Sequence, residues 1–342
     1  MKKIYADKFQ YFDLGLLVTT RCTAACKHCC FGCTPKGDQL SGDVTMTLDE
    51  MKSYVSQAAR LTPGGIGRLG FSGGEPFLLR NDLVEIVRFA HELGTQRIEC
   101  NTAVYWANST KAARQRLEPL RAAGLDRLTI STDDFHTEFI KLDNVRIAVE
   151  VAQELGIDVA LNSVITKKTR SQAAILREIG QVAEGVEHSE WQCQPSGVAI
   201  DFIPLDDLFL EPGIPQSSCP APNFVIRPEG DAYFCCSPSG WKPELKLGNA
   251  RHEPLEILWN RFRSRELNHI LIQEGPCGFI PAIERDGRKQ LLHTRYVDVC
   301  HLCHHLLSNH ELRQSVRDEV NRREVERASF LLQSLMNIPQ PA

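Results

Sequence analysis

Two periodicities alternate along the first two-thirds of this chain. Short apolar runs read as strands, and each is followed by a stretch with apolar positions three and four apart, which reads as a helix. Residues 14–18 form the first run. Thr47 opens a helix to about Leu61, with Glu50 placed to reach back to the Thr47 amide in a capping box. Residues 68–72 form the second strand, and Asn81 caps a helix closed by Gly94. Strands at 97–101, 127–132 and 158–165 follow, with helices at 109–124, 144–155 and 171–183 and a short last strand at 190–194. Six strand–helix units imply an α/β fold with parallel strands joined by right-handed crossovers. Chemistry in such folds gathers at the C-terminal ends of the strands. Asn101, Ser131, Asp133, Asp134, His136 and Asn162 all end or follow a strand.

The pattern changes near Leu205. Residues 205–218 carry Pro212, Gly213 and Pro215 and read as a linker. A hairpin comes next, with Glu229, Gly230 and Asp231 in its turn and Cys235 and Cys236 at its end. Residues 246–264 read as a loop and a helix. Residues 309–337, rich in Glu and Arg, read as one solvent-facing amphipathic helix. The expected divisions are 10–205, 206–308 and 309–342.

Composition narrows the class. The 342 residues are 42% hydrophobic, enough for a sizeable core, and the formal net charge of −4 gives no reason to expect nucleic-acid phosphates as partners. No run of about 18 apolar residues suggests a membrane span, and the N-terminus lacks the apolar core of a signal peptide. The 13 cysteines are clustered, unlike a secreted disulfide framework, which points to the reducing cytoplasm.

The cysteine spacing carries the chemistry. Cys22, Cys26 and Cys29 stand as C-x3-C-x2-C just after the first strand. A 4Fe–4S cluster normally takes four thiolates, so three leave one iron open for another ligand. The competing reading is zinc, whose structural sites close all four positions. The second strand ends in Gly73, Gly74 and Glu75, where glycines admit close backbone approach and a carboxylate can meet an ammonium group. Later, Cys219, Cys235, Cys300 and Cys303 supply four thiolates, enough for a second 4Fe–4S cluster or a closed zinc site. Asp133, Asp134 and His136 are candidates to orient a substrate or move a proton, and either aspartate would also cap a helix.

The three-cysteine loop and the Gly-Gly-Glu turn, one strand–helix unit apart, resemble the radical S-adenosylmethionine (radical SAM) enzymes. That resemblance implies a partial (β/α)6 barrel and a first cluster on Cys22, Cys26 and Cys29. It also implies S-adenosylmethionine held by Gly73, Gly74 and Glu75, with His28 near the adenine and Asn101, Ser131 and Asn162 beside the rest; Gly197 matches a further lining segment. Residues 219–303 resemble the SPASM or twitch extension, a small α+β iron–sulfur domain. More narrowly, the stretches CKHCCFGCTP, FSGGEPFL, LTISTDDFH, CPAPNFVIRPEGDAYFCCSPS and VCHLC are similar to those of the epipeptide epimerases, which act on ribosomally made peptides. The resemblance implies that Cys235 holds the second cluster and that Cys236 is a free thiol donating a hydrogen atom. It further implies a precursor peptide as substrate and an electron donor such as flavodoxin or ferredoxin, while Asp133, Asp134 and His136 stay substrate-binding candidates by their position after a strand. Peptide maturases that form thioether or carbon–carbon crosslinks, and small-molecule dehydrogenases, share the same core and remain alternatives. Cys30, Cys33, Cys100 and Cys193 are read as packing residues, and Cys277 as a packing residue or alternative cluster ligand.

Overall fold

The computed structural model describes residues 10–220, 222–237 and 241–336. Six parallel strands run in sequence order: β1 (Phe12–Thr19), β2 (Ile66–Gly73), β3 (Arg97–Thr102), β4 (Arg127–Ser131), β5 (Asp158–Ile165) and β6 (Glu187–Gln192). Between them lie α1 (Leu48–Ala58), α2 (Asn81–Glu92), α3 (Thr110–Ala123), α4 (Leu142–Glu154) and α5 (Gln172–Ile179). This is the expected α/β partial barrel. Its strands alternate in the sense that makes an open interior. Ile98 and Cys100 of β3, and Leu128 and Ile130 of β4, are buried. Their sequence neighbours Arg97, Glu99 and Asn101, and Arg127 and Thr129, line the barrel cavity instead.

The local signals were mostly those of the sequence. The Thr47–Glu50 capping box forms, with the Glu50 amide donating to Thr47 Oγ1 at 3.2 Å and the Thr47 amide to Glu50 Oε2 at 2.8 Å. Ser109 caps α3, and Gly124 ends it in the left-handed conformation. Asn81 is not a cap: Arg80 precedes the helix with φ 52° and no side-chain bond, and Asn81 is the first helical residue. Helix α5 stops at Ile179, because Gly180 turns the chain into a 3₁₀ turn at Gln181–Ala183. The last barrel strand starts earlier than expected, at the polar Glu187, because β6 is an exposed edge rather than a buried run.

The C-terminal third does more than follow the barrel. Strands β7 (Pro222–Ile226) and β8 (Asp231–Cys235) form the expected hairpin, and β9 (Lys246–Asn249) pairs with β8. Strand β7 also pairs in parallel with β1, Leu14 opposite Phe224 and Leu16 opposite Ile226. One nine-stranded sheet results, in the order β9-β8-β7-β1-β2-β3-β4-β5-β6. Helices α6 (Leu255–Ser264) and α7 (Glu266–Gln273) cover it, and α8 (Val299–Ser308) and α9 (His310–Met336) complete the chain. The linker is not wholly irregular, since Glu211–Pro212 pairs with Arg295–Tyr296. Phe12 of β1 meets Phe224 and Trp259 at ring distances of 5.2 and 4.9 Å, so the apolar core is shared between the two parts. Near its start helix α9 buries Leu312, Ser315, Val316 and Glu319, whereas Val325, Phe330 and Leu332 are exposed.

Candidate functional site

The cysteine loop leaves the end of β1 and is tied at once to the end of β2. The Gly74 amide donates to Thr19 O at 2.7 Å and the Glu75 amide to Arg21 O at 2.8 Å. That approach requires glycine. A Cβ on Gly74 would lie 1.9 Å from Arg21 O, and one on Gly73, where φ is 121°, 2.6 Å from Thr19 O. Gly197 backs the loop from the other side, a Cβ there falling 2.5 Å from Cys30 O. It therefore supports the cysteines and is not among the cavity residues, contrary to expectation.

One cavity of about 210 Å³ takes Cys22, Cys26, Cys29, His28, Gly73 and Gly74 into its lining. Asn101, Ser131, Asp133, His136 and Asn162 line it as well. Burial pushes the Cys22 thiol up to about 12, with Glu75 and Cys29 adding to it, and raises Cys26 likewise. Cys29 is held below its ordinary value by a hydrogen bond from Cys33, which gives that supposed packing residue a definite contact. His28 stacks on Phe135 at 4.5 Å and meets His136 edge-on at 5.0 Å; burial drives it down to about 4, so it is neutral. The Cys26 sulfur and one ring nitrogen each of His28 and His136 lie within 4.8 Å of one another.

Two expected site residues turn away. Glu75 is fully buried, and its carboxylate accepts from Thr102 Oγ1 at 2.9 Å, from the Ala103 amide at 2.9 Å and from the Phe77 amide at 3.1 Å. The backbone of its glycine neighbours, not its carboxylate, faces the cavity. Asp134 pairs with Arg170, its Oδ1 2.6 Å from Arg170 Nε, outside the cavity. Asp133 combines both readings weighed for it. It caps the one-turn helix Asp134–Thr137 and also lines the cavity, accepting from the Val164 amide at 3.1 Å with His136 Nδ1 2.8 Å away. Burial alone would lower His136, but that Asp133 contact reverses the effect and raises it.

A second group of thiols gathers under the hairpin. Cys219, Cys235, Cys300 and Cys303 line one pocket with apolar neighbours such as Phe234, Leu245 and Leu271. The Ser237 amide donates to Cys235 Sγ at 3.3 Å, and Asp298 caps α8 by accepting the Cys300 amide at 2.8 Å. Cys277 is not in this pocket; its thiol donates to Glu274 O at 2.9 Å. Three thiols around a cavity with backbone on one side suit a cluster with an open iron. Four thiols in an apolar pocket suit a closed one.

Cys236 stands apart from that pocket. It lines the barrel cavity of about 860 Å³, together with Asn223, Ser189 and Trp191. Burial raises its thiol, while a hydrogen bond with Asn223 opposes the shift. Phe31, Ser72, Asn101, Thr129 and Asn162 line both this cavity and the one beside the three-cysteine loop. Phe31, Ser72 and Asn223 were not singled out from the sequence. Ser72 was reachable from the strand period, and Asn223 only from the hairpin register that sets Pro222 opposite Cys235.

Comparison with known proteins agrees with this geometry. The profile of the Radical SAM superfamily matches residues 16–179, and the SPASM iron–sulfur cluster-binding domain matches residues 219–304. The chain thus carries a radical SAM core and a C-terminal SPASM domain, and its cofactors are S-adenosylmethionine and 4Fe–4S clusters. Among proteins of similar sequence is the peptide biosynthesis protein YydG of Bacillus subtilis (strain 168), 25% identical over 87% of this chain and 92% of that one. Among solved structures, Streptococcus suis SuiB bound to precursor peptide SuiA superposes with a TM-score of 0.56 at 16% identity, covering 83% of this chain and 75% of that one. The AdoMet-bound anSMEcpe gives 0.53 at 14% identity, covering 94% and 100%. These two likenesses concern the fold. Among the described residues, no helix is long and apolar enough to cross a membrane.

Proposed function

We propose that this enzyme inverts L-residues of a ribosomally made peptide to D-residues. The observation that carries the reading is the divergence of two adjacent cysteines: Cys235 joins the four-thiol pocket, and Cys236 lines the barrel cavity. In this reading Cys22, Cys26 and Cys29 hold the first cluster, and Cys219, Cys235, Cys300 and Cys303 the second. Gly73, Gly74, His28, Asn101, Ser131 and Asn162 would hold S-adenosylmethionine, and Asp133 and His136 would meet the substrate. Cluster and S-adenosylmethionine together supply a 5′-deoxyadenosyl radical that removes a Cα hydrogen. The protein's own part is position and return. The planar carbon lies where the two cavities meet. Cys236 delivers hydrogen from the barrel-cavity side, so that a C–H bond forms, an S–H bond breaks and a thiyl radical remains. One electron from a flavodoxin- or ferredoxin-type donor and one solvent proton restore the thiol. The likeness to YydG over most of both chains supports a peptide as the substrate.

The test uses a precursor peptide encoded beside the gene, treated with reconstituted enzyme in deuterated water. The peptide is expected to gain one deuteron per inverted residue and to keep its mass in ordinary water. A crosslinking maturase would instead remove about two daltons per bond. Cys236→Ala is expected to keep both clusters and still cleave S-adenosylmethionine, but to lose D-residue formation. Wild-type inversion by that variant overturns the donor role, and loss of iron reverses the assignment of Cys235 and Cys236.

A further inference from the structure

A thiol that donates hydrogen creates a hazard in an enzyme of this class. S–H bonds are weak, and a primary carbon radical that meets a thiol takes its hydrogen at once: C–H forms, S–H breaks, and the radical is spent without touching the substrate. The donor must therefore be screened from the place where the first radical arises. Ser72, Asn101, Thr129 and Asn162, shared by both cavities, lie on β2, β3, β4 and β5. The fifth shared residue is Phe31, two positions beyond Cys29 and the bulkiest of the set.

Phe31 is braced from the SPASM side. Its ring meets Trp241 at 5.8 Å, and Trp241 in turn meets Tyr233, two residues before Cys235, at 4.9 Å. The guanidinium of Arg227 lies 5.1 Å from the Trp241 ring. Arg227 is almost completely buried, with Nη2 2.7 Å from Asp38 Oδ2 and 3.2 Å from Ser41 Oγ, and Nε 2.5 Å from Glu229 Oε1. Asp38 belongs to the segment that follows the cysteine loop. The stack thus starts on the cysteine loop, crosses to the hairpin that carries Cys236, and is pinned back to the loop by a buried ion pair. Breaking such a pair strands a charge in the interior, which makes it a firm anchor.

We propose that Phe31 is a partition that screens the Cys236 thiol from the cofactor cavity, and that Trp241 and the Arg227–Asp38 pair hold it in place. The proposal rests on Cys236 being the donor. Phe31 is a positioning residue: it takes part in no bond change and decides which hydrogen the first radical can reach.

The experiment measures where hydrogen in 5′-deoxyadenosine comes from. Holoenzyme is run in deuterated water with protiated peptide, after exchange of its thiols. Wild-type enzyme is expected to yield 5′-deoxyadenosine without deuterium, its added hydrogen coming from the peptide. Phe31→Ala is expected to yield several-fold more product per D-residue, much of it carrying one deuteron, while Phe31→Leu restores most of the screening. Arg227→Met is expected to leak in the same sense. Two readouts do not depend on turnover. Affinity for S-adenosylhomocysteine and iron content stay at wild-type levels in Phe31→Ala. Bound S-adenosylhomocysteine slows N-ethylmaleimide labelling of Cys236 in that variant, but leaves it unchanged in the wild type. The double variant Phe31→Ala/Cys236→Ala is expected to lose the deuterium. Deuterium that persists there points to Cys30 or Cys33 as its source and overturns the partition. Phe31→Ala product free of deuterium overturns it too, while leaving the donor role of Cys236 standing on its own test.

Discussion

At Glu75 the chain buries a carboxylate completely and surrounds it with donors. Thr102 Oγ1 binds both of its oxygens, and the same hydroxyl accepts the Val104 amide at 3.0 Å and Trp106 Nε1 at 3.1 Å. Removing this side chain orphans the Ala103 and Phe77 amides, each worth about 1–3 kcal/mol when buried without a partner. Glu75→Ala is therefore expected to cost roughly 2–4 kcal/mol in denaturant unfolding. Burial pushes the Glu75 carboxyl up to about 7 from an ordinary 4.5 despite those donors. A group that holds its proton more tightly when folded withdraws stability as pH rises between the two values. Glu75→Gln should thus flatten the loss of stability between about pH 4.5 and 7, seen as a smaller change in unfolding midpoint across that range. The presence of Glu75 at the site was legible in the sequence, but its direction was not. A Gly-Gly-Glu turn fixes where the backbone goes, whereas the side chain went to Thr102, one strand away. The neighbouring pair Asp133 and Asp134 diverges for a similar reason. The one-turn helix that Asp133 caps aims one carboxylate inward and leaves the other to Arg170, on the loop before α5.

Among the elements, the β7–β8 hairpin controls most. It brings Cys235 to the four-thiol pocket and leaves Cys236, just past the strand's end, at the barrel cavity. The opposite facing of two consecutive residues was available from strand periodicity alone. The parallel pairing of β7 with β1 was not, because no local signal links residues so far apart in sequence. The hairpin's turn depends on Gly230, where φ is 90° and an added Cβ would lie 2.8 Å from Arg251 Cγ and 2.8 Å from Asn249 Oδ1. Gly230→Ala is expected to cost about 1–3 kcal/mol, through left-handed strain in a residue with a Cβ. Because the turn sets the strand that carries Cys235, iron should fall toward about four atoms per chain, the content of a single 4Fe–4S cluster. Iron analysis together with the residual ability to cleave S-adenosylmethionine checks this.

For the whole molecule, one continuous sheet runs across the expected boundary near residue 205. Strand β1 sits between β2 and β7, and Phe12 packs on Phe224 and Trp259 across it. Arg251 Nε to Glu50 Oε1 at 2.7 Å and Gln194 Nε2 to Asp298 Oδ2 at 2.8 Å tie the two halves again at separate places. A chain ending at residue 205 would bare the apolar edge of β1, an open template for pairing with other chains. It is expected to aggregate during purification, whereas a chain ending at residue 324 keeps the buried part of α9 and should remain monodisperse by light scattering.

The same sheet imposes an order in time. Leu14 waits for Phe224, so at about 5–20 residues per second the ribosome leaves that edge of β1 open for roughly 10–40 s. During that interval β2 is already synthesised and can close on the loop of Cys22, Cys26 and Cys29. The four-thiol pocket cannot exist until Cys303 has emerged. The three-thiol loop can therefore close before the four-thiol pocket, whose last cysteine emerges 274 residues after Cys29.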